Sequence, residues 1–299
     1  MSSVKKIAVF GDTHGHLRLM FQLCRLWQCN HGVHLSGVLQ CGDLGFFPDP
    51  EALDRATRRF ARKDPEELGF ARFFRRPEPL ERDVLLEQTL LGSKDDLNTV
   101  RCPVIWCHGN HEDFQELERL TGKTAVTPVD VYERLCLLRS GCVTEVAGVR
   151  VGALGGGQEP DGVDDQDYGL EEPWKWVSAR GCDRIRGQSF DVLLTHVGPR
   201  GIGGERNALG SRRIREVVAQ CRPRYHFFAH HSRPVPPVQI GHTQCFWLND
   251  VHFERHKGRY QQLHDRCMGI LSWNDASEQV FAYVGEPWLR TLTWNNPNA

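Results

Sequence analysis

Near the start of the printed sequence, an apolar run passes directly into glycine, acid and imidazole: Ile7-Ala8-Val9-Phe10-Gly11-Asp12-Thr13-His14-Gly15. The apolar residues predict a short β-strand, and the glycines predict a sharp turn where backbone can approach a bound group. Beyond the turn, apolar residues recur at nearly helical spacing at Leu17, Met20, Phe21, Cys24 and Trp27. The stretch therefore predicts a strand, a polar turn and a helix over 16–28, as in α/β proteins.

The same plan recurs along the chain. Strand-like runs lie at 36–41 before Gly42-Asp43, at 103–107 before His108-Gly109-Asn110-His111, at 191–195 before His196, and at 225–228 before His230. Residues 112–120 and 211–220 predict helices, and 143–154 predicts a hairpin that turns near Ala147-Gly148.

Polar side chains that can bind metal follow directly on five of these runs. They are Asp12, Asp43, Asn110, His196 and His230. In open α/β sheets, binding sites form beyond the carboxyl ends of the strands. We therefore expect the five side chains to meet at one rim.

The composition is that of an ordinary globular protein. Hydrophobic residues make up 40% and charged residues 25% of the 299 residues, and the net charge is −1. A net charge this small does not indicate a nucleic-acid binder on its own. The eleven cysteines, an odd number without a Cys-x-x-Cys pair, predict buried free thiols. We expect a cytoplasmic protein without a membrane partner, because the sequence holds no apolar run long enough to span a bilayer.

Two segments depart from the alternation of strands and helices. Residues 46–100 are rich in Arg, Glu and Pro and predict a helical insertion over the rim. Residues 250–299 hold strand-like pieces such as 279–284, and we expect this C-terminal extension to complete a second sheet. Both are assigned to a single domain, 1–299.

The motifs together resemble those of the calcineurin-like metallophosphoesterase superfamily. They are Gly11-Asp12-Thr13-His14-Gly15, Gly42-Asp43, Gly109-Asn110-His111-Glu112, Thr195-His196 and Ala229-His230-His231-Ser232, and their order and spacing match over roughly 5–232. Singly, an Asp-x-His or a strand-end histidine is more often a cap or a satisfied structural residue; the joint pattern carries the resemblance. It implies an α/β fold with four αββα layers, two mixed sheets flanked by helices.

The resemblance also implies a metal-dependent phosphoester hydrolase with two divalent transition metals. Asp12 and His14 would hold the first metal, Asp43 would bridge, and Asn110, His196 and His230 would hold the second. Carboxylates and imidazoles suit Mn, our first choice, as well as Fe, Zn or Co. A hydroxide bridging the metals would attack phosphorus. His111 resembles the superfamily histidine that is not a ligand and assists the leaving group.

The last motif departs from the superfamily pattern Gly-His-x-His. Ser232 stands where the second histidine, a ligand of the first metal, would lie, and a serine hydroxyl is a poor ligand. His231 could substitute only if the strand end twists, because adjacent residues point to opposite faces. We therefore expect the first metal to bind more weakly than the second.

The substrate is expected to be a phosphoester, with nucleic acid as a candidate partner. Arg200 and Arg206 follow His196 in a glycine-rich loop and are candidate phosphate contacts, since guanidinium groups bind phosphate bidentately. The chain also resembles, more loosely, the RNA lariat-debranching branch of the superfamily. This resemblance rests on the insertion after the second motif, the Gly-Asn-His-Glu motif and the hairpin at 148–152. Asp12 departs from that branch, whose members often carry cysteine there.

We therefore expect a phosphodiesterase that acts on nucleic acid as its candidate substrate, and two alternatives stay open. The first is a phosphomonoesterase, including a protein phosphatase. The second, of a different class, is a non-catalytic scaffold with a degraded first metal site. The sequence does not determine the oligomeric state.

Overall fold

The described part of the chain alternates strands with helices. The computed structural model describes residues 4–74, 84–122, 124–160, 174–203, 209–256, 259–274 and 278–292. Its α-helices are α1 Leu17–His31, α2 Arg55–Ala61, α3 Ala71–Phe74, α4 Val84–Leu91, α5 Phe114–Thr121, α6 Ala179–Arg186 and α7 Arg212–Cys221. Its first strands are β1 Lys5–Phe10, β2 Gly37–Gln40, β3 Val104–Trp106, β4 Val126–Pro128, β5 Leu135–Leu138, β6 Val143–Val146, β7 Val149–Leu154 and β8 Val192–Thr195. The others are β9 Tyr225–Phe228, β10 Val238–Ile240, β11 Thr243–Trp247, β12 Phe253–His256, β13 Arg259–Leu263, β14 Met268–Asn274 and β15 Glu278–Tyr283.

Two mixed sheets form the centre of the described residues. The first sheet has the order β15-β14-β1-β2-β3-β5-β4, and the second has the order β10-β11-β9-β8-β7-β6. Strands β1, β2, β3 and β5 run parallel in the first sheet, and β7, β8, β9 and β11 run parallel in the second. The carboxyl ends of β1, β2 and β3 therefore lie at one edge, as do those of β8 and β9.

Strand β1 shows why these strands are apolar on both faces. Ile7 and Val9 pack into the core between the sheets, whereas Ala8 and Phe10 pack against the helices on the outer face. Side chains alternate between the faces of a strand, so a strand that is covered twice needs an unbroken apolar run. All four residues are fully buried.

Helices cover the outer face of each sheet. Helices α1, α4 and α5 pack on the first sheet through residues such as Phe21, Leu90 and Leu117. Helices α6 and α7 pack on the second sheet through residues such as Ile185 and Val217. The order of layers is thus helix, sheet, sheet, helix, which confirms the predicted αββα sandwich.

Helix α1 follows from its sequence pattern. The buried residues include Leu17, Met20, Phe21, Cys24 and Trp27, which lie on one face at helical spacing. The helix ends at Gly32, whose φ of 65° lets its amide bond back to the carbonyl of Gln28.

The C-terminal segment differs from the prediction that it completes a second sheet. Strand β14 pairs with β1 along its whole length, and β15 pairs with β14, so both extend the first sheet. Strands β12 and β13 form a separate pair. The partner of β14 is about 260 residues away in sequence, and no local pattern specifies such a pairing.

The segment 46–100 forms short helices where the structure describes it. Helix α2 begins after Asp54, whose carboxylate accepts a hydrogen bond from the Thr57 amide. Helix α4 belongs to the same predicted helical insertion, and residues 75–83 lie outside the described part. The assignment of the whole chain to a single domain stays a prediction.

Candidate metal centre

Sharp turns bring the predicted side chains together at the ends of the strands. Asp12 lies two residues after β1, and Asp43 lies three residues after β2. Gly42 and Gly109 lie where the backbone comes very close to a site residue, so these turns require glycine. A Cβ on Gly42 would lie 2.7 Å from Cβ of His196, and a Cβ on Gly109 would lie 2.0 Å from Oδ1 of Asp43.

Three of the predicted ligands have left-handed backbone conformations. The φ angles are 41° at His14, 47° at Asp43 and 65° at His230. Such angles are uncommon outside glycine and cluster at functional sites, where the surrounding structure maintains the strain.

The predicted ligands form two groups that share one carboxylate. The first donor group consists of Asp12, His14 and Asp43, and the second consists of Asp43, His196 and His230. Within each group, one potential ligand atom from every residue lies within 4.8 Å of the others. Asn110 adjoins the second group, since its Oδ1 lies 2.9 Å from Nε2 of His196. Asp43 therefore occupies the position between the groups that was predicted for a bridging ligand.

Backbone amides fix the orientation of Asp43. Its Oδ1 accepts hydrogen bonds from the amides of Asn110 and His111, both at 2.8 Å. Its Oδ2 lies 3.3 Å from Nε2 of His196 and 3.8 Å from Nε2 of His14. One oxygen is thus held by the loop after β3, while the other faces both groups.

The charges at the centre are strongly coupled. Burial opposes ionisation of Asp43, but His196 and His14 hold the pKa of this carboxyl well below its usual range. Burial likewise opposes protonation of His14, yet Asp43, Glu67, Asp12 and Asp250 raise its pKa to about 9. The first donor group therefore attracts positive charge.

The second donor group contains a neutral imidazole. Burial lowers the pKa of His230 to about 3, and the neighbouring His196 adds to the effect. The two rings lie 4.6 Å apart between centroids. A neutral ring keeps a lone pair available, which is the form in which histidine binds metal.

His111 lies beside the two groups with its own carboxylate partner. Its Nδ1 is 2.8 Å from Oδ2 of Asp54, and its ring centroid is 6.2 Å from that of His14. Burial opposes protonation, but the hydrogen bond to Asp54 together with the charges of Asp43 and Asp54 raises the pKa of His111. The pair can therefore hold a proton next to the donor groups.

The donor set fits a pair of divalent cations. Oδ1 of Asp12 is buried without a hydrogen bond of good geometry, and its charged neighbour at 3.3 Å is Nδ1 of His196. Asp12 and Asp43 bring two buried carboxylates to one place, and a cation would offset their charge. Carboxylate and imidazole donors together suit Mn, Fe, Zn or Co. A sequence comparison identifies a family with such a centre: the model for calcineurin-like phosphoesterases matches residues 5–234.

The chain belongs to the calcineurin-like phosphoesterase family. It is therefore a metal-dependent phosphoester hydrolase, and the family implies a dinuclear divalent metal site, as the resemblance of the motifs predicted. No curated protein matches this phosphoesterase significantly in sequence.

Solved structures similar to the phosphoesterase have little sequence in common with it. One solved chain is 12% identical with a TM-score of 0.52, covering 94% of this chain and 99% of its own length. The TT1561 protein of Thermus thermophilus is 14% identical with a TM-score of 0.47, over 94% of this chain and 99% of its own. A predicted phosphoesterase from Streptococcus pneumoniae is 10% identical with a TM-score of 0.37, over 95% and 91%. At such identities, the first match speaks for the fold alone.

Two residues that shape the site were not singled out in the sequence. Asp54 comes from the helical insertion and contacts His111 across 57 positions of sequence. Glu112 belongs to the third motif, but no role was predicted for it. Its carboxylate accepts hydrogen bonds from the amides of Leu44 and Phe46 at 2.8 and 2.6 Å, which anchors the loop after Asp43. The family motif pointed to Glu112; nothing local pointed to Asp54.

His231 and Ser232, the candidate replacements for the missing histidine, are not part of either donor group. His231 belongs to neither group, and its Nε2 accepts a hydrogen bond from the Gly198 amide at 3.1 Å. Ser232 is exposed.

The candidate phosphate contacts are not tested by the structure. Arg200 lies in a turn, and its amide donates a hydrogen bond to the carbonyl of Ser211. A phosphate contact by Arg200 stays a prediction, and Arg206 lies outside the described residues.

No helix in the described ranges of the phosphoesterase is both long enough and apolar enough to span a bilayer.

Proposed function

We propose that this phosphoesterase is a phosphodiesterase that acts on nucleotide or nucleic-acid diesters with two divalent metals, manganese foremost. The observation that carries the proposal is the pair of donor groups sharing Asp43, with the His111–Asp54 pair beside them.

In the proposed site, each donor group would hold one cation. Asp12, His14 and Asp43 would hold the first, and Asp43, His196, His230 and Asn110 would hold the second, with Asp43 shared. Such a pair of cations would supply acidification of a bound water and stabilisation of the charge that develops on the phosphoryl oxygens.

The task of His111 is to give a proton to the leaving oxygen. Its Nδ1 donates to the Asp54 carboxylate, which leaves Nε2 as the atom that can transfer a proton. Asp54 stabilises the charged ring before the transfer and fixes its orientation. A positioned acid of this kind contributes about 10²–10⁴-fold to the rate.

A cavity next to the first donor group supports a substrate with a second organic group. The cavity has a volume of about 140 Å³, and Phe60 lines it together with Asp12 and His14. Phe60 is 52% exposed, although large apolar side chains are normally covered. An exposed ring beside a phosphoryl site can stack on a nucleobase. A phosphomonoester with a small leaving group would make no use of this surface.

The test compares hydrolysis of bis-p-nitrophenyl phosphate, p-nitrophenyl phosphate and a dinucleotide with added Mn²⁺. We expect the diesters to have the higher kcat/KM. Faster hydrolysis of the monoester would favour the phosphomonoesterase alternative.

The Phe60→Leu variant tests the aromatic contact. Stacking of a base is worth about 1–3 kcal/mol, so KM for the dinucleotide should rise at least about fivefold. The Phe60→Tyr variant is the matched control, because it keeps the ring. Equal KM values for the leucine and tyrosine variants would contradict a stacking contact.

A further inference from the structure

The cavity at the first donor group contains carboxylates that no motif accounts for. Its lining includes Asp12 and His14 of the donor group and, in addition, Glu67 and Asp250. Glu67 comes from the helical insertion, and Asp250 comes from the C-terminal segment. Both are thus brought to the site by the tertiary structure.

Asp250 is held at the cavity by its backbone neighbours. The Val251 amide donates to the carbonyl of Asp12 at 2.7 Å. The same segment also passes close to Gly11. A Cβ on Gly11 would lie 2.8 Å from the carbonyl oxygen of Leu248 and 2.2 Å from that of Asn249, so glycine permits this contact between the two backbone segments. The segment 248–251 is therefore clamped against the turn that carries Asp12.

The carboxylate of Asp250 is available for a ligand. It is partly buried, and no hydrogen bond or ion pair links it to another side chain in the described part of the protein. Asp12, which is only 4% exposed, borders the same cavity, and Nδ1 of His196 lies 3.3 Å from its Oδ1. Two carboxylates thus border the same space, and that of Asp250 has no side-chain partner among the described residues.

The electrostatic coupling agrees with this geometry. Burial raises the pKa of Asp12 to about 6, and the charges of Asp250 and Asp43 add to the rise against the effect of His196. Asp250 is also one of four carboxylates that favour the charged form of His14. A divalent cation in the first donor group would offset this excess of negative charge.

We infer that Asp250 is a positioning residue for the first metal, acting through water held in the cavity. The inference rests on the proposed dinuclear site. Asp250 does not belong to the first donor group, whose ligand atoms lie within 4.8 Å of one another, so its carboxylate would act on a cation there across the cavity and not as a direct ligand. The volume of about 140 Å³ has room for several waters. Outer carboxylates of this kind hold the waters and the inner ligands of metal centres in place.

The arrangement makes the first donor group rich in oxygen. Carboxylate and water oxygens suit Mn²⁺, whereas imidazole-rich and four-coordinate sites suit Zn²⁺. The second donor group contains His196 and His230, and among the described residues no second carboxylate joins Asp43 in it. The two positions should therefore differ in their relative affinities for Mn²⁺ and Zn²⁺.

The test is calorimetric titration of the full-length, metal-free protein with Mn²⁺ and, separately, with Zn²⁺. A His14→Ala variant identifies which binding event belongs to the first donor group. In Asp250→Asn, Mn²⁺ affinity at that group should fall about 10–100-fold, the size typical for outer carboxylates. Affinity at the second group should stay within about twofold of the original, and Zn²⁺ should lose less affinity than Mn²⁺ at the first group.

Asp265→Asn is the matched control, because Asp265 is an exposed aspartate in the nearby loop before β14. It should leave both binding events unchanged. Unchanged Mn²⁺ affinity in Asp250→Asn would overturn the inference while leaving the dinuclear site intact. Equal losses at both groups, or equal losses for both metals, would show a merely structural role and would overturn it too. If the unaltered protein binds no pair of cations, the proposed function itself fails, and the inference fails with it.

Discussion

Replacing Asp54 with Asn removes the carboxylate that stabilises protonated His111. Oδ2 of Asp54 lies 2.8 Å from Nδ1 of His111, and its Oδ1 accepts a hydrogen bond from the Thr57 amide at 2.8 Å. Asparagine has nearly the same size and caps helices as well as aspartate does. The variant should therefore keep helix α2, whereas the amide NH2 in place of Oδ2 carries no charge and cannot accept a hydrogen bond from the imidazolium.

The structure limits the size of the effect. A hydrogen bond to a charged group is worth about 1.5–3 kcal/mol. The His111 and Asp54 side chains are 32% and 33% exposed, so solvent screening reduces the charge contribution to about 1 kcal/mol. Losing an interaction of this size lowers the pKa of His111.

The assay is the pH dependence of kcat/KM on a diester with a poor leaving group. Burial lowers and Asp54 raises the pKa of His111, with a net rise. If the protonated ring is the active form, activity is lost as pH rises through this pKa. Removing the charge lowers the pKa, so the loss in Asp54→Asn should begin at a lower pH than in the unaltered protein.

Asp49→Asn is the matched control. Asp49 caps the short 3₁₀ helix Pro50–Ala52 through the Glu51 amide, as Asp54 caps α2. Its replacement should leave the alkaline limb in place. The reasoning is refuted if the Asp54→Asn profile coincides with that of the unaltered protein, or if Asp49→Asn moves the limb equally.

Three further predictions concern the donor groups and the proton donor. Asp43→Asn should abolish turnover and lower the bound metal measured by elemental analysis, with the circular dichroism spectrum unchanged; full activity would exclude a bridging role. His111→Ala should keep the metal content and slow hydrolysis most for poor leaving groups, which need protonation most; equal losses across a leaving-group series would argue against a proton donor. Ser232→His should tighten Mn²⁺ binding at the first donor group and reduce the dependence of activity on added Mn²⁺; two equally tight sites in the unaltered protein would contradict this expectation.

The sequence predicted the strand-end residues of the site because their signal is local. A buried parallel strand requires an unbroken apolar run, and the polar residue after it is easily seen, as at Asp12 and His196. The hairpin at 143–154 was equally local. Strands β6 and β7 confirm it, and Ala147 and Gly148 have the positive φ angles of 53° and 89° that a tight hairpin turn needs.

Contacts between distant segments depended on the tertiary structure. The sequence did not reveal that Asp54 would meet His111, that Asp250 would border the cavity, or that β14 would pair with β1. An aspartate in a charged segment looks the same whether it faces solvent or an imidazole, because its partner is fixed by chain packing and not by neighbouring residues. The sequence by itself thus determined the order of strands and the donor residues at their ends, through burial and turn geometry. Only the folded chain decided which carboxylates surround those donors, because that choice depends on how the insertion and the C-terminal segment pack over the sheets.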